Sequence, residues 1–256
     1  DAGWAAATAS YWDVLDPAFL RRFNVFELDA LPQAGQRQET FGHHVLAYWA
    51  NRREILALVE AGAGLLVYAD LVGGGGQGQG WNEEMERWGI EMRQACVRDP
   101  ATLFGTWKAY GENGICWTEA VAPHDVTAGI KRVYYAGANA RWDDCYTTTP
   151  LVCSDAWTPL VKAGPGARAM FAVDDGWVED PDTTGDLTLA AVRPLGKGRL
   201  AAVSISPHYI HRLGYTRMEK LWYGEMSLGL MDGVVLSQGD GTVPSDTGRL
   251  ILNLYA

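Results

Sequence analysis

Apolar residues recur with two different periods in the first third of the chain. Phe23-Asn24-Val25-Phe26-Glu27-Leu28 has the pattern of a short strand, and a Pro/Gly/Gln-rich loop follows from Pro32 to Gln38. From Phe41 to Glu60 the apolar positions Val45, Leu46, Trp49, Ile55, Leu56 and Val59 keep helical spacing, and Gly62 supplies the stop. Leu65-Leu66-Val67-Tyr68-Ala69 is a continuous apolar run, as expected of a strand covered on both faces. Asp70 closes it, the glycines from Gly73 to Gly80 predict a flexible loop, and a second helix is expected from Asn82 to Cys96. The βαβα order predicts an α/β domain, built on a mainly parallel sheet with helices on both faces.

Residues 99–186 carry a different pattern, rich in Gly, Pro, Trp, Tyr and Asp, with short strands expected at Gly114–Ala120, Arg132–Ala136 and Ala167–Val173. This irregular middle section is expected to add strands and long Trp-rich loops to one domain spanning residues 1–256. Leu187–Arg193 and Arg199–Ile205 flank Pro194-Leu195-Gly196-Lys197-Gly198 and predict a hairpin. Thr216–Met231 is expected to be helical, Val234-Val235-Leu236 extended, and Ser245–Ala256 a closing helix. The chain opens on Asp1 with no charged or apolar leader pattern, and it ends on an apolar stretch with no helix-stop signal. The start fits a mature, processed, excised or trimmed chain, and the uncapped end predicts a piece of a longer one.

Charge narrows the partners. Lys plus Arg number 21 against 31 for Asp plus Glu, a net charge of −10, which disfavours nucleic acid and anionic membranes as partners. No run is long and apolar enough to span a bilayer. The four cysteines, Cys96, Cys116, Cys145 and Cys153, form no C-x-x-C pair. Their even count in an acidic, Trp-rich chain points to an extracytoplasmic or secreted protein with a Cys145–Cys153 disulfide expected; four buried thiols in a cytosolic protein are the alternative.

Four segments, in order, resemble the class I glutamine amidotransferase-like superfamily. They are Val59 to Asp70, Pro123 to Ile130, Gly196 to His208, and Arg249-Leu250-Ile251-Leu252-Asn253. The resemblance is to its divergent members, such as the ThuA-like and biotin-protein-ligase N-terminal-like groups, and it implies a flavodoxin-like α/β fold. Catalytic members carry a nucleophilic Cys on the turn after the central strand, but the matching turn here, Ala69-Asp70-Leu71-Val72-Gly73, has neither Cys nor Ser. Where the family has His-Pro-Glu, this chain has Ser206-Pro207-His208. Glutamine amidotransfer is therefore not expected.

Ligands of parallel sheets bind beyond the carboxyl ends of the strands. That rule makes Asp70 and His208 the candidate catalytic pair, a carboxylate and an imidazole dividing proton transfer near neutral pH. Gly73 and Gly74 of the glycine loop, His211, Trp81 and the cluster Arg141-Trp142-Asp143 are the candidate substrate-binding residues. The loop lacks the Lys-Ser/Thr of a phosphate-binding loop, so no nucleotide cofactor is expected. His43-His44 and His208/His211 do not make a metal motif, and the acidic stretches lack calcium-loop spacing, so no metal is expected either. Asp240 and Asp246 flank a turn before the last helix, with Ser245 or Asp246 expected to cap it. Six tryptophans stand in loop-like context (Trp81, Trp107, Trp117, Trp142, Trp157 and Trp177), and indole faces stack on sugar rings.

The expectation is an amidotransferase-like domain that binds or processes a carbohydrate. A stand-alone hydrolase, lyase or isomerase using the Asp/His pair is the first alternative. A structural or oligomerisation domain of a larger carbohydrate enzyme is the second. The expected partners are a carbohydrate ligand and either a second copy of the chain or neighbouring domains.

Overall fold

A computed structural model describes residues 15–28, 43–69, 76–103, 105–107, 113–138, 148–173, 176–183, 185–205 and 244–256. In chain order the first elements are α1 (Pro17–Leu20), β1 (Val25–Leu28), α2 (His43–Ala61), β2 (Gly64–Tyr68) and α3 (Gly76–Met85). A 3-10 turn, Glu86–Trp88, leads into β3 (Ile90–Met92) and β4 (Cys96–Arg98). Then come β5 (Gly105–Trp107), β6 (Asn113–Thr118), a second 3-10 turn (Asp125–Thr127), β7 (Val133–Gly137), β8 (Leu151–Cys153) and β9 (Thr158–Lys162). The series closes with β10 (Arg168–Val173), β11 (Gly176–Glu179), β12 (Thr188–Leu195), β13 (Gly198–Val203) and α4 (Thr247–Tyr255).

The main sheet runs β1-β2-β13-β12-β8-β3, with β9 also pairing β12. β1, β2 and β13 are parallel, with Val25 opposite Gly64 and Gly64 opposite Arg199. Beyond β13 the pairing turns antiparallel, and two three-stranded antiparallel sheets, β11-β10-β4 and β5-β6-β7, complete the described strands. This overturns the expected flavodoxin-like, mainly parallel sheet with helices on both faces. The reason lies in connection length. A parallel neighbour needs a crossover of roughly a dozen residues, which α2 provides between β1 and β2. Only Gly196-Lys197 separates β12 from β13, and only two residues separate β10 from β11, so those strands can only fold back. The middle section, expected to add short strands between long loops, contributes β5 to β11, all short and antiparallel to their neighbours.

Around β2 the α/β reading holds locally. Leu65, Val67 and Ala69 share one core with Ile55 and Val59 of α2, while Leu66 and Tyr68 join Leu250, Ile251 and Leu254 of α4 on the opposite face. Alternation along a strand puts neighbouring residues on opposite faces, so a run apolar at every position needs cover on both. Burial of these side chains, each stabilising by roughly 1.5–3 kcal/mol, holds the parallel strands between the two helices. The hairpin β12–β13 locks onto the end of α2. Gly196, at φ +60°, turns the chain, and the Lys197 amide donates to the Glu60 carbonyl at 2.9 Å. Gly198 packs so closely that a Cβ there would lie 2.0 Å from the Ala63 carbonyl oxygen and 2.1 Å from that of Val59.

Other expectations shift. The second helix begins earlier and ends sooner than Asn82–Cys96, because Gly76–Gly80 is helical and Ile90–Met92 and Cys96–Arg98 are strands. Arg52 of α2 fastens it: its Nε donates to both Glu84 oxygens, at 2.9 and 2.8 Å, and Glu84 is buried. The segments Thr216–Met231 and Val234-Val235-Leu236 lie outside the described residues. In the closing helix, Ser245 rather than Asp246 supplies the capping oxygen, accepting from the Thr247 amide at 3.2 Å. The Asp246 carboxylate instead accepts from the amides of Lys131 and Arg132, at 2.8 and 3.2 Å.

Candidate functional site

Three parallel strands send their carboxyl ends to one edge of the main sheet. β2 and β13 end level there, since Tyr68 pairs with Val203 and the Ala69 amide donates to the Val203 carbonyl at 2.7 Å. Asp70 is the next residue after Ala69, and His208 is the fifth after Val203. The chain leaves from this same edge after β1 and β2, and those connections lead to the first turns of α2 and α3.

Asp70, Gly73, Gly74, Arg141, Trp142, Asp143, His208 and His211 all lie outside the described residues. So do Asp240 and the side chains of His43 and His44. Trp81 is described, and it is not a loop residue: it sits in α3, 1% exposed, in the core that holds Leu65, Val67, Ala69 and Met85. Its Nε1 is buried without a hydrogen-bond partner. Trp157 is likewise core, its Nε1 donating to the Trp88 carbonyl at 2.9 Å. The Arg132 guanidinium lies 3.9 Å from the Trp117 ring centre, and that of Arg98 lies 5.0 Å from the Trp177 ring centre. The described tryptophans of the set are thus taken up by core packing and by stacking with arginine, and they do not line a common groove. Side-chain placement of Trp107 and Trp142 lies outside the described residues.

The acidic stretch around Asp180 is an ion-pair anchor and not a calcium loop. Arg93 donates from Nε and Nη2 to the two Asp180 oxygens, both at 3.0 Å, and from Nη2 to Asp182 at 3.2 Å. Burial works to raise the Asp180 carboxyl, but Arg93, the Thr183 hydroxyl and the Asp182 amide outweigh it and hold the carboxyl below its ordinary value. Among the described residues no group of three or more His, Cys, Asp or Glu side chains is placed to hold a metal.

One polar cluster had no signal in the sequence. The Tyr135 hydroxyl donates to Asp99 Oδ2 at 2.7 Å, and Cys116 Sγ lies 3.5 Å from the Asp99 carbonyl oxygen. All three residues are buried, and Asp99 Oδ1 has no hydrogen-bond partner. Burial, and then the Asp99 charge, push the Cys116 thiol up to about 12. Burial first, then the neighbouring Cys116 and Asp99, raise the Tyr135 hydroxyl. Glycine makes room for the cluster, since a Cβ at Gly137 would lie 2.4 Å from Cys116 Sγ and one at Gly164 would lie 2.6 Å from Asp99 Oδ2. An enclosed cluster of this kind ties β6 and β7 to the end of β4; it offers no path to a substrate. A shallow depression of about 270 Å³ lies elsewhere on the surface, between Glu119, Val121, Pro159 and Lys162.

The cysteines correct a further expectation. No disulfide involves Cys96, Cys116 or Cys153, so the expected Cys145–Cys153 bond is not formed; Cys145 lies outside the described residues. Burial pushes the Cys153 thiol up to about 11. Without that bond the expectation of an extracytoplasmic or secreted protein loses its physical basis.

No family model matches the chain, and no curated protein matches it. Among solved structures it is similar to an mmIFT52 N-terminal domain, at 11% identity and TM-score 0.46, covering 76% of this chain and 71% of that one. It is also similar to a cytoplasmic protein of Salmonella typhimurium LT2, at 10% identity and TM-score 0.42, covering 86% and 74%. A second cytoplasmic protein of Salmonella typhimurium aligns at 13% identity and TM-score 0.39, covering 84% and 76%. Likeness this distant transfers no activity.

Proposed function

We propose that this domain binds a polar small molecule at the carboxyl edge of β1, β2 and β13, and that Asp70 and His208 act on it as a carboxylate–imidazole pair. One observation carries the reading. β2 and β13 are adjacent, parallel and level at their ends, so the segments that run on to Asp70 and His208 start from neighbouring strand ends. The resemblance of Val59–Asp70 and Gly196–His208 to the amidotransferase-like superfamily supports it, since those segments surround these two strand ends. A carbohydrate is the ligand class to test first, because a carboxylate and an imidazole both hydrogen-bond to hydroxyl groups. With neither Cys nor Ser at the turn after β2, the pair would serve proton transfer and not acyl transfer.

Two measurements test this. A chain carrying Asp70→Cys and His208→Cys, with the native cysteines replaced, should be bridged by a short bifunctional thiol reagent. No bridging would end the shared-site reading. Calorimetric titration with a panel of mono- and oligosaccharides should then find a ligand whose affinity falls at least tenfold in Asp70→Asn. Bridging without any saccharide binding would keep the site and remove carbohydrate as its ligand.

A further inference from the structure

From the outer edge of β11, we infer that two copies of this chain pair edge to edge through Gly176–Glu179. The argument is independent of the ligand site. β11 is the terminal strand of the sheet β11-β10-β4, and among the described residues no strand pairs with its outer edge. The Asp180 amide donates to the Ala169 carbonyl of β10, in the same register that sets Val178 opposite Phe171. Even-numbered positions here therefore point their backbone groups inward to β10. Trp177 and Glu179 point theirs outward, leaving a row of donors and acceptors that a further strand would satisfy.

The side chains select the partner. Phe171, Val173 and Val178 share one face of the hairpin; Phe171 packs against the main core, but Val173 is 41% and Val178 51% exposed. The opposite face carries Trp177 beneath Arg98, and Glu179 3.6 Å from Arg168. A two-fold axis normal to the sheet keeps each face with its own kind, so paired residues must both be odd or both be even. Glu179 opposite Glu179 would oppose two carboxylates. Trp177 opposite Trp177 would leave both Glu179 residues paired beyond the strand. Val178 opposite Val178 avoids both faults: each Trp177 then faces the other copy's Glu179, and both pairs consist of residues with outward backbone groups. That register makes four backbone hydrogen bonds, opposes no like charges and merges the exposed valines of both copies into one apolar stripe. The result is a six-stranded sheet, β4-β10-β11 continued by β11-β10-β4 of the second copy.

The axis at Val178 makes the test specific. Light scattering on the wild-type chain should show the mass rising from 28.0 kDa towards twice that value with concentration. Val178→Lys and Val178→Glu, each of which sets like charges face to face, should stay monomeric. An equimolar mixture of the two should recover the dimer mass, because only a self-paired position 178 brings Lys to Glu. Hydrogen exchange on the wild type adds a readout that needs no variant: the Trp177 and Glu179 amides should gain protection with concentration, and the Val178 amide should not. A wild type that is monomeric throughout, variants that dimerise normally, or a mixture that stays monomeric would each overturn the proposal. So would protection of Trp177 and Glu179 that does not depend on concentration, because another segment of the same chain would then occupy the edge.

Discussion

Replacing Gly198 by alanine probes the joint that sets β13, and with it the proposed site, against α2. A Cβ there would meet two backbone carbonyl oxygens, Ala63 at 2.0 Å and Val59 at 2.1 Å. Ordinary van der Waals contact needs more than an ångström of additional room on each side. Neither oxygen is the far end of a flexible side chain, so relief requires the β12–β13 hairpin to move off the end of α2. Overpacking typically costs about 1–3 kcal/mol, and two backbone contacts put this site at the upper end, about 3 kcal/mol. For a domain of this size that is roughly 6–12 °C in Tm. Gly64→Ala is the internal control: it stands in the neighbouring strand β2, and its Cβ would meet nothing closer than Val25 Cγ2 at 3.7 Å. Stability there should change by less than about 0.5 kcal/mol. Urea unfolding followed by tryptophan fluorescence reads both, with the slope against denaturant confirming an unchanged unfolding transition. If Gly198→Ala matched the wild type, or if Gly64→Ala were equally damaging, the packing of β13 on α2 would be wrong.

Asp180 contributes a pH-dependent part of stability. Its carboxyl is held below the unfolded value near 3.9, so the contribution is complete above that pH and is lost as the pH falls through the lower folded value. Asp180→Asn should therefore lower the urea midpoint at neutral pH, and the gap from the wild type should shrink as the pH is taken below about 4; a gap that persists undiminished in acid would refute the ion-pair account. The thiols provide a separate check. Cys116 and Cys153, pushed up to about 12 and about 11, should resist iodoacetamide in the native protein at mild alkaline pH and react in denaturant without any reductant. Mass spectrometry that finds Cys153 unlabelled until reductant is added would restore the disulfide.

Strand β2, helix α2 and the closing helix were legible because their periodicity is local. A run of five apolar residues can only be a strand covered on both faces or the middle of a helix, and Gly62 and Asp70 bound it too tightly for a helix. The hairpin β12–β13 was legible for a similar reason, since a glycine-bearing turn between two apolar stretches carries its own signal. The helix expected over Asn82–Cys96 failed at Gly89. That residue takes φ +77° and ends the 3-10 turn, so the chain passes directly into β3. The tryptophans misled because an indole in a Gly- and Asp-rich stretch has the same sequence context whether it is buried, as Trp157 is, or stacked under an arginine, as Trp177 is.

By itself, then, the order of residues determined which short segments became helix or strand, where glycines turned the chain, and that Asp70 and His208 follow two apolar strands. It did not determine how those strands pair. Parallel and antiparallel neighbours use the same apolar residues, and the choice depends on connection lengths and on which faces remain uncovered after distant segments have packed. Only the tertiary structure set β13 beside β2, spread the remaining strands into antiparallel sheets, and enclosed Asp99 with Tyr135 and Cys116. Those contacts join residues separated by tens to more than a hundred positions, and the sequence around each member carries no mark of its partner.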